Sequence, residues 1–101
     1  MNNRRVVITG IGVIAPNGIG KEKFWDSLKK GRSGIKEISS FDASTYPCYI
    51  AGEVTDFDPM DYIPPQTAKR IDRFAQFGLA ASKMAVEDSK LNLEYEDRSR
   101  V

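Results

Sequence analysis

Arg4-Arg5-Val6-Val7-Ile8-Thr9-Gly10-Ile11-Gly12-Val13-Ile14 is the most apolar run near the start of the chain. Its apolar positions do not alternate with polar ones, and most are β-branched. A strand with one wet face shows a period of two. A continuous run predicts a strand covered on both faces. Ala15-Pro16-Asn17-Gly18-Ile19-Gly20 follows as a loop by composition. Lys21 to Lys30 then reads as a short amphipathic helix with Phe24, Trp25 and Leu28 on one face. Gly31 is its stop, after two lysines.

Beyond Gly31 the pattern loosens. Residues 32–47 are Ser-rich and predict irregular structure, and Tyr49 to Val54 predicts a short strand weakened by Gly52. Asp56-Phe57-Asp58-Pro59 predicts a turn. Pro64-Pro65 halts what precedes it, and Pro65 suits the first position of a helix. One long helix is predicted from about Gln66 to Ser89. Ile71, Phe74, Ala75, Gly78, Ser82 and Ala85 fall on one face, and Phe77, Ala81 and Met84 on another. From Phe74 to Val86 the apolar surface runs nearly all the way round, which suits the interior of a larger protein or an oligomer.

The 101 residues hold 15 Lys and Arg against 14 Asp and Glu, a net charge of +1. This is an ordinary globular composition, and it gives no bulk electrostatic reason to bind nucleic acid. No apolar stretch approaches the ~20 residues of a membrane helix, and the N-terminus does not read as a signal peptide. A cytoplasmic chain is expected. There is one cysteine and no histidine. These residues cannot form a disulfide, a His-ligated metal site or a Cys–His nucleophile pair. No metal site is expected.

Gly10-x-Gly12-x-x-Ala15 fits a dinucleotide-binding fingerprint, but Pro16-Asn17-Gly18 falls where the phosphate-binding helix should open. Glycines that let a buried strand turn tightly are the better reading. Cys48 follows Pro47 with no base nearby and reads as an inert, partly buried thiol. The aromatics Phe24, Trp25, Phe41, Tyr46 and Tyr49 read as packing. Lys69, Arg70 and Arg73 would occupy the first turns of the long helix, where each cation costs roughly 0.3–1 kcal/mol. Local pairing or solvation and an anionic partner explain them equally well.

Together these blocks resemble the N-terminal part of a β-ketoacyl-acyl-carrier-protein synthase, an elongating condensing enzyme of the thiolase superfamily. The resemblance covers about residues 4–91. It rests on the run from Arg4 to Gly18, then Phe24 to Ile35, Phe41-Asp42, Ala51 to Val54, Phe57 to Pro59, Ala68 to Ala81 and Glu87-Asp88-Ser89. It implies an α/β chain with a partial thiolase-like fold, the first part of the N-terminal half of a five-layered α/β/α/β/α architecture. Residues 5–14 would be the first core strand, and the long helix would lie near the dimer contact and acyl channel. Residues 1–101 would be an incomplete N-terminal portion of a ketoacyl synthase domain.

The activity implied is decarboxylative Claisen condensation of an acyl thioester with malonyl-acyl carrier protein in fatty acid biosynthesis. The catalytic cysteine and two histidines of that family fall downstream of Val101, and Cys48 does not match the nucleophile. The resemblance therefore assigns no catalytic residue here, and the chain alone is expected to be inactive. Lys69 and Arg70 match basic positions that dock the acidic carrier protein, with Arg73 a third candidate. Gln66 departs from a position that is often basic. No cofactor is expected, since substrates ride on the carrier's phosphopantetheine. A homodimer or heterodimer is implied for the full-length protein. A polyketide ketosynthase, its non-condensing partner subunit and a non-enzymatic carrier-docking module remain alternatives.

Overall fold

The computed structural model describes residues 3–101. The apolar run ends in a two-stranded hairpin of β1 (Ile14–Ala15) and β2 (Gly18–Ile19), paired Ile14 to Ile19 and Ala15 to Gly18. Helix α1 (Lys21–Lys29) follows at once. Gly31 adopts φ 65° and donates its N–H to the Leu28 carbonyl at 3.2 Å. That left-handed turn is why glycine ends the helix. Ser27 is the buried residue of α1, and its hydroxyl donates to the Asn17 carbonyl at 2.5 Å. Trp25 and Leu28, expected to pack, remain exposed.

A second hairpin joins β3 (Ile35–Glu37) to β4 (Ile50–Gly52), in antiparallel register Ile35 to Gly52 and Glu37 to Ile50. β4 lies where a strand was expected, whereas β3 falls in the segment expected to be irregular. The Glu53 carboxylate closes the loop beside the hairpin. It accepts from the Ser39 N–H at 2.7 Å, the Ser39 hydroxyl at 3.0 Å and the Ser40 N–H at 3.1 Å. These donors, the Ser39 N–H foremost, hold Glu53 below the usual carboxylate range.

The expected single helix over residues 66–89 is in fact two. α2 (Pro65–Ala68) ends after one turn, and α3 (Arg73–Ser89) begins after four intervening residues, with extended Asp72 (φ −74°, ψ 166°) as its N-cap. Phe77, Ala81 and Met84 are partly covered, and Ala80 on the same side is fully buried. The opposite side carries Phe74, Gly78, Leu79, Ser82 and Val86, all exposed. Of the two faces read from sequence, the second packs, while half of the first (Phe74, Gly78 and Ser82) stays open and Ile71, Ala75 and Ala85 are partly covered.

Residues 4–13 show the other departure. They form no ladder with another strand among the described residues. Val6 is 92% exposed and Ile8 85%. The apolar character is that of a doubly covered strand, but the described residues do not supply the partners and covering layers such a strand requires. Only the last part of the run finds a surface, against α3. A Cβ on Gly12 would lie 1.8 Å from the Ala81 carbonyl oxygen, and one on Gly10 would lie 2.3 Å from that of Ala85. Both glycines serve close backbone approach to a helix, not a tight turn.

The surface area of 8558 Å² exceeds by about 2,800 Å² that of a compact folded monomer of 11.3 kDa. The radius of gyration is 17.5 Å, against about 13 Å for a compact domain of this length. No helix among the described residues is long and apolar enough to cross a membrane.

Candidate functional site: a braced basic corner

The best-packed part of the molecule surrounds Phe57, which is 6% exposed. Tyr62 stacks on it at 5.8 Å between centroids with planes 5° apart, and Phe77 of α3 meets it edge-on at 5.1 Å. Ile63, Ala68 and Ala80 are buried as well. Local chemistry builds the approach. Asp58 caps a 3₁₀ turn over Pro59–Asp61 by accepting from the Met60 N–H at 2.9 Å, and Pro65 starts α2.

Lys69 and Arg70 project from the corner between α2 and α3. Lys69 is the C-cap of α2, and Arg70 donates its N–H to the Thr67 carbonyl at 3.0 Å. Both are exposed, and neither side chain makes a hydrogen bond or salt bridge among the described residues. The expectation that they occupy the first turns of α3 is corrected by the break in the helix. The cost of a cation at a helix N-terminus, confined to its first turn, therefore falls on Arg73 alone.

Arg73 lies at that first turn and stays exposed, with its guanidinium laid over the aromatic cluster. It sits 5.3 Å from the Phe57 centroid and 5.1 Å from that of Phe77, and Nη2 donates to the Val54 carbonyl at 3.0 Å. Gln76, one turn on, donates from Nε2 to the Ala68 carbonyl at 3.0 Å. Sequence reading treated Gln76 only as a break in the apolar surface. The signal for Arg73 was its i,i+4 spacing to Phe77, which places a cation beside an aromatic ring on one helix face.

Cys48 is exposed, a correction to the partly buried thiol expected; its Sγ lies 3.5 Å from the Ile50 carbonyl oxygen. Of the expected aromatic packing, Phe41 and Tyr46 do meet edge-to-face at 5.8 Å. Asp88, quoted in the sequence only as part of a block, is a junction. Its carboxylate accepts from the Ile11 N–H at 3.0 Å and pairs with Lys21. The Lys21 ammonium first, and the Ile11 N–H second, hold it below the usual carboxylate range. Among the described residues no group of three or more His, Cys, Asp or Glu side chains is placed to hold a metal ion. The described residues therefore present an exposed pair of cations on a braced corner, and no nucleophile–base pair among them.

Comparison with known proteins defines the class. The family described as "Beta-ketoacyl synthase, N-terminal domain" matches residues 3–101. The chain belongs to that family. It is 43% identical over 101 residues to 3-oxoacyl-[acyl-carrier-protein] synthase 2 of Coxiella burnetii, covering 100% of this chain and 24% of that protein. It is 46% identical over 100 residues to a putative polyketide beta-ketoacyl synthase 1 of Streptomyces halstedii, covering 98% and 24%. The solved ishigamide ketosynthase/chain length factor aligns with TM-score 0.80 and 38% identity, over 92% of this chain and 23% of that one. The fold is thus a partial thiolase-like α/β fold, as the resemblance implied. The chain spans about a quarter of the length of the relatives it matches.

Proposed function

We propose that residues 1–101 are the N-terminal portion of a 3-oxoacyl-acyl-carrier-protein synthase acting in fatty acid biosynthesis in the cytoplasm. The full-length protein would join an acyl thioester to malonyl-acyl carrier protein with loss of carbon dioxide, and would work as a dimer. The observation that carries this reading is the 43% identity, over every residue of the chain, to a synthase of that name. The nucleophilic cysteine and paired histidines would come from other parts of the protein. Phosphopantetheine enters as the carrier's arm, and no resident cofactor is needed. A second reading, a polyketide ketosynthase or its chain-length partner, has its own support in the 46% identity to the Streptomyces protein and in the structural match.

Lys69 and Arg70 supply the docking point for the acidic carrier. They are exposed, adjacent and unneutralised, so they attract an anionic surface and speed encounter. The test uses full-length protein with acyl- and malonyl-carrier proteins. β-Ketoacyl product supports the condensing reading. Its absence, with a substituted nucleophile, transfers the chain to the non-condensing partner class. The 101 residues alone should give no product. Lys69→Glu with Arg70→Glu should weaken carrier binding roughly tenfold, at about 1 kcal/mol or less per rim charge. The salt dependence should flatten as well. Unchanged binding and salt slope would remove the docking role.

A further inference from the structure

We infer that Arg73 is a positioning residue for the docking corner and not a third docking cation. This rests on the docking role proposed for Lys69 and Arg70. The corner is four residues of turn between two helices, and α2 is a single turn. Such a segment has little stability of its own. Two side chains from the first turns of α3 secure it. Arg73 lies over Phe57 and Phe77 and reaches the Val54 carbonyl, so it ties the start of α3 to the chain entering the corner. Gln76 reaches the Ala68 carbonyl, so it ties α3 to the end of α2. Lys69 and Arg70 stand between these two anchor points. The guanidinium has its charge over two rings and one donor on a carbonyl. Lysine, a compact ammonium without a planar fork, reproduces the charge but not that geometry.

The chemistry separates the two roles for Arg73. A docking cation acts by charge, so Arg73→Lys would keep it and Arg73→Gln would lose it together with part of the salt dependence. A positioning guanidinium acts by shape. Arg73→Lys and Arg73→Gln would then fail alike, and the salt dependence carried by Lys69 and Arg70 would survive.

The experiment measures carrier-protein affinity across a salt series for the full-length protein. It includes Arg73→Lys, Arg73→Gln, Gln76→Leu and the Lys69→Glu/Arg70→Glu double variant, with amide hydrogen exchange over residues 66–73. We expect Arg73→Lys and Arg73→Gln each to weaken binding about threefold. The salt slope should match the unaltered protein, and exchange at the corner should be faster. Gln76→Leu should show the same signature. Binding by Arg73→Lys equal to the unaltered protein, or a lower salt slope in Arg73→Gln, would make Arg73 a direct contact and overturn the proposal. Unchanged exchange at the corner would overturn it too. If the double charge reversal leaves carrier binding intact, the docking reading itself has failed. Faster exchange in Arg73→Lys would then show a brace that serves no docking site, which also overturns the proposal.

Discussion

The N-terminal run and the Phe57 corner are both rich in large apolar side chains, yet the structure treats them oppositely. Around Phe57, the rings of Tyr62 and Phe77, the Arg73 guanidinium and buried Ile63 close on one another within residues 54–80. Along residues 4–13, Val6, Val7 and Ile8 stand exposed; Gly10, Ile11 and Gly12 are fastened to α3, and the Val13 carbonyl accepts from the Gly20 N–H. The difference is one of sequence distance. The corner's partners are mostly within ~25 residues, so its loops close at small entropic cost. A doubly covered strand needs neighbours and helical layers from far along a chain. Apolar composition therefore marks what must be buried, and locality decides whether these residues bury it.

The sharpest way to break this contrast is Phe57→Ala in the full-length protein. Removing a ring at 6% exposure should cost about 3–5 kcal/mol in denaturant unfolding. It should also free Arg73 and loosen the α2–α3 corner. A cost below about 1 kcal/mol, the usual range of a surface change, would show that the corner is not the self-contained cluster described.

Next in size is Gly12→Ala. The added carbon would meet the Ala81 carbonyl at 1.8 Å, a backbone atom that cannot turn aside. A cost of about 1–3 kcal/mol is expected. Hydrogen exchange should locate the loosening at residues 10–14 and 81–89, with the Phe57 corner still protected. Loosening spread evenly over both regions would dissolve the distinction between them.

How much of this was legible in the sequence follows the same division. α1 was readable to within a residue, because Gly31 and two lysines mark its end and the helix is local. β4 was readable from Tyr49-Ile50-Ala51, but β3 was not. Ile35-Lys36-Glu37 has one β-branched residue and no buried face, and it is a strand only because β4 pairs with it. The break at residues 69–72 was missed because Lys69-Arg70-Ile71-Asp72 contains no glycine or proline. Asp72 at the N-cap was the available signal. The contacts across the break are tertiary: Arg73 reaches the Val54 carbonyl and Gln76 the Ala68 carbonyl. Lys69 and Arg70 were found as residue types. Their lack of a partner among the described residues, and the placement of the Arg73 guanidinium over Phe57 and Phe77, required the fold.

The smallest expected effect concerns pH and acts on the N-terminal region through Asp88. Its carboxylate accepts from the Ile11 N–H of that run and pairs with Lys21 of α1, with Lys90 adding a weaker attraction. These contacts lower its folded-state pKa. In the unfolded chain it returns to an ordinary aspartate value near ~3.9. The unfolded chain therefore binds the proton more readily. The anchoring contribution is fully present above that value and is lost as pH falls through the folded-state pKa. The pair is exposed, so the contribution is small and salt-sensitive. Trp25, the only tryptophan, lies with Ile11, Val13, Lys21 and Phe24 around one apolar groove, so its fluorescence reports on this anchor. As the pH falls below about 4, past the ordinary aspartate value, the Trp25 signal should shift before exchange protection at the Phe57 corner is lost. Asp88→Asn keeps an acceptor for Ile11 but has no charge for Lys21, and should show the acid form's Trp25 signal already at pH 6. The acid-induced step should be missing. If Asp88→Asn retains that step, another carboxylate drives it. Glu53, whose pKa is also lowered, would then be the group to replace, and the acid-sensitive element would be the β3–β4 hairpin.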